Sequence, residues 1–138
     1  MIWRSPAGGG RGRWPLVMFD AGYPVVWLAH AVAGRPVQVM GRVRRDRVFY
    51  GPAPAPEGGV GRTARHGARF VCADASTQPE PDVQITARCE RYGRVRVNAW
   101  HGLHQALTRN GAWSDFPAGR GLPILPGTLI EINHGLPQ

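Results

Sequence analysis

The stretch PLVMFDAGYPVVWLAHAVAGRPVQVMGRV, residues 15–43, constrains the fold more than any other part of the chain. Pro15 to Phe19 is an apolar run of strand length, and DAGYP follows it with Gly22 for a turn and Pro24 suited to the first turn of a helix. Val25, Leu28, Ala29 and Val32 then fall at helical spacing, which predicts a helix over Val25 to Ala33 closed by Gly34 and Pro36. Val37, Val39, Gly41 and Val43 alternate with Gln38, Arg42 and Arg44, as in a strand that emerges into solvent. A strand–helix–strand unit crosses over right-handed, so its two strands are expected to be parallel.

Beyond this unit, RVRRDRVFYG reads as a basic, exposed extension, and residues 51–66 as a Pro/Gly/Arg linker without periodicity. The pattern after that is β. ARFVCAD, VQITARCER, RVRVNAWHGL and GTLIEIN each alternate apolar and polar residues, with RYGR as a hairpin turn between the second and third. With 19 Gly and 13 Pro gathered in runs such as GGGRGR and GPAPAPEGGVGR, ordered structure is expected in islands. The expected organisation is α/β: a disordered Gly/Arg-rich start at 1–13, a β-α-β unit at 14–50, the linker at 51–66 and a small antiparallel β-rich domain at 67–138.

The formal net charge is +8, and all 17 basic residues are arginine. Compositional bias that favours Arg, Gly, Pro and Ala together accounts for part of this. The functional alternative is an anionic partner, nucleic acid first, because guanidinium groups pair bidentately with phosphates. Cys72 and Cys89 lie on separate alternating segments outside any CxxC pair, which argues against a zinc or redox motif. The opening has no apolar core of signal-peptide length and no stretch has the length of a membrane span, so a soluble, cytoplasmic chain without membrane association is expected.

Asp20 ends the most apolar strand of the chain. In open α/β arrangements, function gathers at the carboxyl ends of parallel strands, where a carboxylate beside a sharp turn is well placed to hold a metal ion. Its alternative role is to cap the helix or the turn. Arg42, Arg44, Arg45 and Arg47 lie just past the second strand, either as a DNA-facing cluster near Asp20 or as a solvated patch. Asp46 reads as an ion-pair partner for its flanking arginines. Glu131 alternates with Ile130 and Ile132 and so points away from whatever they bury. His101 and His104, three apart on a strand, fall on opposite faces, which is poor geometry for one metal. Trp100 and Trp113 suit base stacking or, more simply, a core. GGGRGR lacks the ending of a phosphate-binding loop.

The segment VMFDAGYPVVWLAHAVAGRPVQVMGRVRRDRV resembles the region around the second catalytic aspartate of bacterial insertion-sequence DDE transposases: an apolar strand ending in Asp, a Gly-aromatic pair, a helix, and a strand running into Arg-x-Arg. RTARHGARFVCAD, PEPDV, RYGRVRVNAWHGLHQALTRNGAW and LPILPGTLIEI follow in the order of the β-rich insertion that one branch of these proteins carries. The resemblance spans about residues 14 to 136. It implies a partial ribonuclease-H-like β-α-β unit followed by the β-rich insertion, and DNA as partner. In that family two aspartates and a glutamate hold two Mg²⁺ or Mn²⁺ ions, which displace a DNA phosphodiester in line. Asp20 would be the second member of that triad, and Arg42, Arg44, Arg45 and Arg47 would face DNA. The 19 residues before Asp20 contain no acid, and no glutamate-bearing helix follows the β-rich part. The expectation is therefore a truncated, catalytically inactive fragment of marginal stability. Alternatively it is a basic nucleic-acid-binding module, or a regulatory partner of a full-length transposase.

Overall fold

The computed structural model describes residues 1–4, 13–56 and 58–135. Within them one α-helix, α1 (Val25–Ala31), accompanies eight strands, so the fold is mixed α/β and mostly strand. The strands are β1 (Ile2–Arg4), β2 (Leu16–Phe19), β3 (Gln38–Gly41), β4 (Val48–Tyr50), β5 (Arg69–Val71), β6 (Val83–Cys89), β7 (Gly93–Leu103) and β8 (Gly127–His134). Six of them form one sheet in the order β2-β3-β1-β8-β7-β6, and β4 pairs with β5 in a separate antiparallel hairpin.

β2 and β3 are parallel, Leu16 opposite Gln38 through Phe19 opposite Gly41, with α1 as the crossover between them. The helix is capped at Val32, and Gly34, with a positive φ of 83°, lets the chain turn back into β3. Contact between helix and sheet is made at Gly41. A Cβ built there would lie 2.5 Å from Val25 Cγ1, so the absence of a side chain lets α1 sit down on β3.

Two short strands depart from the sequence reading. Ile2–Arg4, inside the expected disordered start, is a strand that pairs with β3 on one side and reaches β8 on the other, Ile2 facing both Met40 and Thr128. Residues 5–12 of that start, residue 57 of the linker and residues 136–138 of the β-rich part lie outside the described residues. Val48–Tyr50, inside the expected exposed extension, is also a strand, because Phe49 is fully buried against the cluster that contains Phe70 and Trp100. A single sheet thus runs through the segments read as a β-α-β unit and a separate β-rich domain.

The buried residues form one cluster in which Trp3, Val25, Ala29 and Val39 join Phe49, Phe70, Trp100 and Leu129. The buried tryptophans keep their indole N–H groups satisfied: Trp3 donates to Leu125 O at 3.2 Å and Trp100 to Pro79 O at 2.9 Å. The opposite face of the sheet is left open. Met18 is 70 % exposed and Ile132 64 % exposed, and Leu16, Val83 and Ile85 join them on that side.

β4 is stitched to the end of β7 by two backbone hydrogen bonds between Tyr50 and His104. A bulge between Trp100 and Leu103, with Gly102 at φ 74°, turns the chain so that His104 points inward. The two histidines read as a strand pair therefore separate: His101 bonds Thr128 Oγ1 at 2.9 Å, whereas buried His104 meets His66 at 2.8 Å between Nε2 and Nδ1. Burial pushes the His104 pKa below its ordinary value, and His66 and Arg65 lower it further.

Two outcomes follow. Gly41→Ala should destabilise the chain by about 1–3 kcal/mol in urea denaturation, with Val25→Ala restoring part of that loss in the double variant. Because the unfolded state binds a proton at His104 more readily than the folded state does, its contribution is intact above about pH 6.5 and is lost as pH falls toward the lowered value. The thermal midpoint should drop on acidification from pH 7 to 5.5, and less steeply in His104→Gln.

Candidate nucleic-acid interface

β2, β3 and β8 run in one direction, so their carboxyl ends share one end of the sheet. Asp20 follows directly on β2 and Arg42 directly on β3, and strand pairing brings the two together. Arg42 NH1 stands 3.8 Å from Asp20 Oδ1, with both side chains more than 70 % exposed. The same carboxylate oxygen accepts the Ala21 amide at 2.7 Å, and the Tyr23 amide donates to the Asp20 carbonyl. Asp20 therefore shapes the turn. It does not cap α1, whose N-cap is Pro24 with no side-chain cap.

Arg44 pairs with Asp46 at 2.7 Å, both exposed, and Arg45 and Arg47 are exposed alongside them. These arginines sit between two clefts. One, of about 340 Å³, is bordered by Ala21, Tyr23, Arg42, Arg44, Arg47 and Trp113. The other, of about 890 Å³, lies between the carboxyl ends of β2 and β3 and the flank of β8. Met18, Met40 and Ile132 give it apolar walls, and Arg42, Arg44 and Arg45 line its basic side. Asp20 borders neither cleft.

Glu131 behaves differently from the sequence reading. Ile132 faces the open side of the sheet, and Glu131 turns toward the covered side with Leu129. Its Oε2 accepts the amide of Asn98 at 3.0 Å and that of Asn133 at 2.9 Å, and Asn98 in turn accepts from Gln84. This ladder across β6, β7 and β8 supplies a half-buried carboxylate with hydrogen bonds from side-chain amides. The alternation is visible in the sequence, but which face is covered depends on partners far along the chain.

The donor set does not fit a two-metal centre. Asp20 contributes one carboxylate already engaged by a guanidinium and an amide, and among the described residues no group of three His, Cys, Asp or Glu could hold a metal ion. Cys72 borders the larger cleft, but burial pushes its thiol up, with the charge of Glu131 adding, so it stays protonated at neutral pH. Trp100 and Trp113 are both buried and serve the core. Among the described residues no helix is long and apolar enough to cross a membrane.

No curated protein and no solved structure matches the chain. A family model does: that of the DDE superfamily endonucleases matches residues 10–107. The matched span contains β2, Asp20, α1, β3, the arginine cluster, the β4–β5 hairpin and the β6–β7 hairpin. With more than half of its length matched, including the strand end that carries Asp20, the chain belongs to the DDE superfamily endonucleases.

Proposed function

We propose that the chain is the second-aspartate portion of an insertion-sequence DDE transposase with a partial ribonuclease-H-like unit, and that in isolation it binds DNA without cutting it. The observation that carries this reading is the pairing of Asp20 with Arg42 at the carboxyl end of two parallel strands. A carboxylate at that place suits the second position of a DDE triad, and Arg42, Arg44, Arg45 and Arg47 around it suit the phosphates of an approaching strand. Endonucleases of this superfamily generally work with Mg²⁺ or Mn²⁺, but a lone carboxylate held by a guanidinium is a poor site for either ion. The arginines are left with the role of holding DNA.

A second reading makes the chain a regulatory partner of a full-length transposase. β2 favours it: among the described residues this strand lies at the edge of the sheet and pairs on one side only, and it exposes Leu16, Val17 and Met18. An open apolar edge of this kind can take a strand from another chain.

Fluorescence anisotropy with a 30-base-pair duplex tests the first reading. Binding is expected to be steeply salt-dependent and unchanged by EDTA. Replacing Arg42, Arg44, Arg45 and Arg47 with Gln should weaken it and flatten the slope of log K against log salt by roughly 3–4. Asp20→Asn should bind at least as tightly, because it frees Arg42. Metal-dependent nicking that Asp20→Asn abolishes would overturn the non-cutting reading, and no binding even at low salt would overturn the DNA reading. Co-purification of an intact transposase with the chain, lost on replacing Met18 with Glu, would instead support the regulatory one.

A further inference from the structure

The open side of the six-stranded sheet is apolar from one edge to the other. Ile132 faces Val97 and Val97 faces Ile85, so β8, β7 and β6 present these three side chains in one row. Thr128 lies four residues before Ile132 and so on the same side of β8. It faces Ile2, which extends the surface through Met40 to Met18. Ile85, Ile132 and Met18 are all exposed. Strands about 4.8 Å apart that rise about 3.3 Å per residue give this side of the sheet a footprint of about 500 Å². A continuous apolar patch of that size marks an interaction surface.

Charge is kept off this side. Strand alternation sends the polar residues of β6, β7 and β8 to the other one, where Gln84, Asn98 and Glu131 form their ladder and Arg96 lies between Thr86 and Asn133. Arg88 and Arg94 fall at the same alternate positions. The positions of these three strands that face the open side hold neither an arginine nor an acid. Arg42, Arg44 and Arg45 stand beyond the end of β3, at the margin of the surface. A charge-free face on a chain of net charge +8 can meet a second positively charged molecule without setting arginine against arginine.

We propose that this side of the sheet is the contact between two copies of the chain, packed face to face. A second copy brings the same apolar, charge-free surface, and the two sheets stack about 10 Å apart with their side chains interdigitated. Together the two faces bury about 1,000 Å², which reaches the size of a specific interface. A two-fold axis that lies between the sheets and crosses the strands sets the strands of the two copies antiparallel. The arginines after β3 then lie at opposite ends of the pair, whereas an axis along the strands would bring both clusters to one end. The contact is isologous and closes on two copies. It is independent of DNA binding, and it uses the face of the sheet, not the edge of β2.

The test is sedimentation velocity of the full chain over about 5–200 µM, the range in which an interface of this size is expected to associate. Twice the monomer mass is expected at the upper end, and more of it as salt rises, because salt screens the repulsion between two positive chains while it weakens DNA binding. Ile85→Glu and Ile132→Glu should each leave a monomer with the circular dichroism of the unsubstituted chain, since both side chains are exposed in it. Photoreactive benzoylphenylalanine in place of Ile85 should give a light-dependent covalent dimer, and in place of Thr86, on the other side, none. Should the glutamate variants fold poorly, the crosslinks decide. A monomer at every concentration overturns the pairing, as does a dimer that crosslinks from position 86 and not from 85, or an assembly that grows beyond two copies. Co-flotation of a monomer with phosphatidylglycerol vesicles, abolished by Ile132→Glu, also overturns it and assigns the face to a lipid surface. Failure to bind DNA leaves the pair standing, so the two readings fall separately.

Discussion

Backbone pairing by three residues, Ile2–Arg4, is what makes the sheet continuous. β1 takes its ladder from β3 on one side and meets β8 on the other, so it joins the parallel pair that carries Asp20 to the antiparallel strands β6, β7 and β8. Space for it is made by glycine. A Cβ at Gly127 would lie 2.8 Å from Ile2 O, so the start of β8 can approach β1 only with no side chain there. Trp3, buried between the layers and bonded to Leu125 O, anchors the same strand from its covered face. The level of β8 relative to Asp20 follows from this one junction, and with it the shape of the larger cleft between β2, β3 and β8.

The charge distribution is organised by that frame. Glu131 is held by Asn98 and Asn133. Asp20 and Asp46 are each drawn to an arginine of the cluster. Each of these acids thus has a local partner, and four of the 17 arginines stand together in the segment after β3. With their carboxylates engaged in this way, Asp20, Asp46 and Glu131 are poorly placed to assemble a cation site.

Much of this was legible in the sequence where local pattern and contact coincide. The strand, turn, helix and strand of residues 15–43 carry their own periodicity and punctuation, and the adjacency of Asp20 and Arg42 follows from parallel pairing alone. β1 and β4 were not legible, because each is a three-residue strand set in an Arg-rich stretch without apolar alternation around it. Ile2–Arg4 is recruited by partners some 36 and 126 positions away, and Val48–Tyr50 by the burial of Phe49. The same non-locality explains Glu131. Alternation of Leu129, Ile130, Glu131 and Ile132 defines two faces, but only the packing of Leu129 near Trp100 decides which one is covered. The separation of His101 from His104 follows from strand spacing, but the burial of His104 comes from β4, whose Tyr50 exchanges backbone hydrogen bonds with it from far along the chain.

The arginine clusters along the sheet end also fix how the surface can respond to its surroundings. A lysine-borne patch can be quietened by acetylation, but this chain contains no lysine, and a guanidinium keeps its charge through the whole physiological pH range. The positive charge of this surface is therefore fixed, screened by ionic strength and by competing anions rather than switched by proton uptake or acyl transfer.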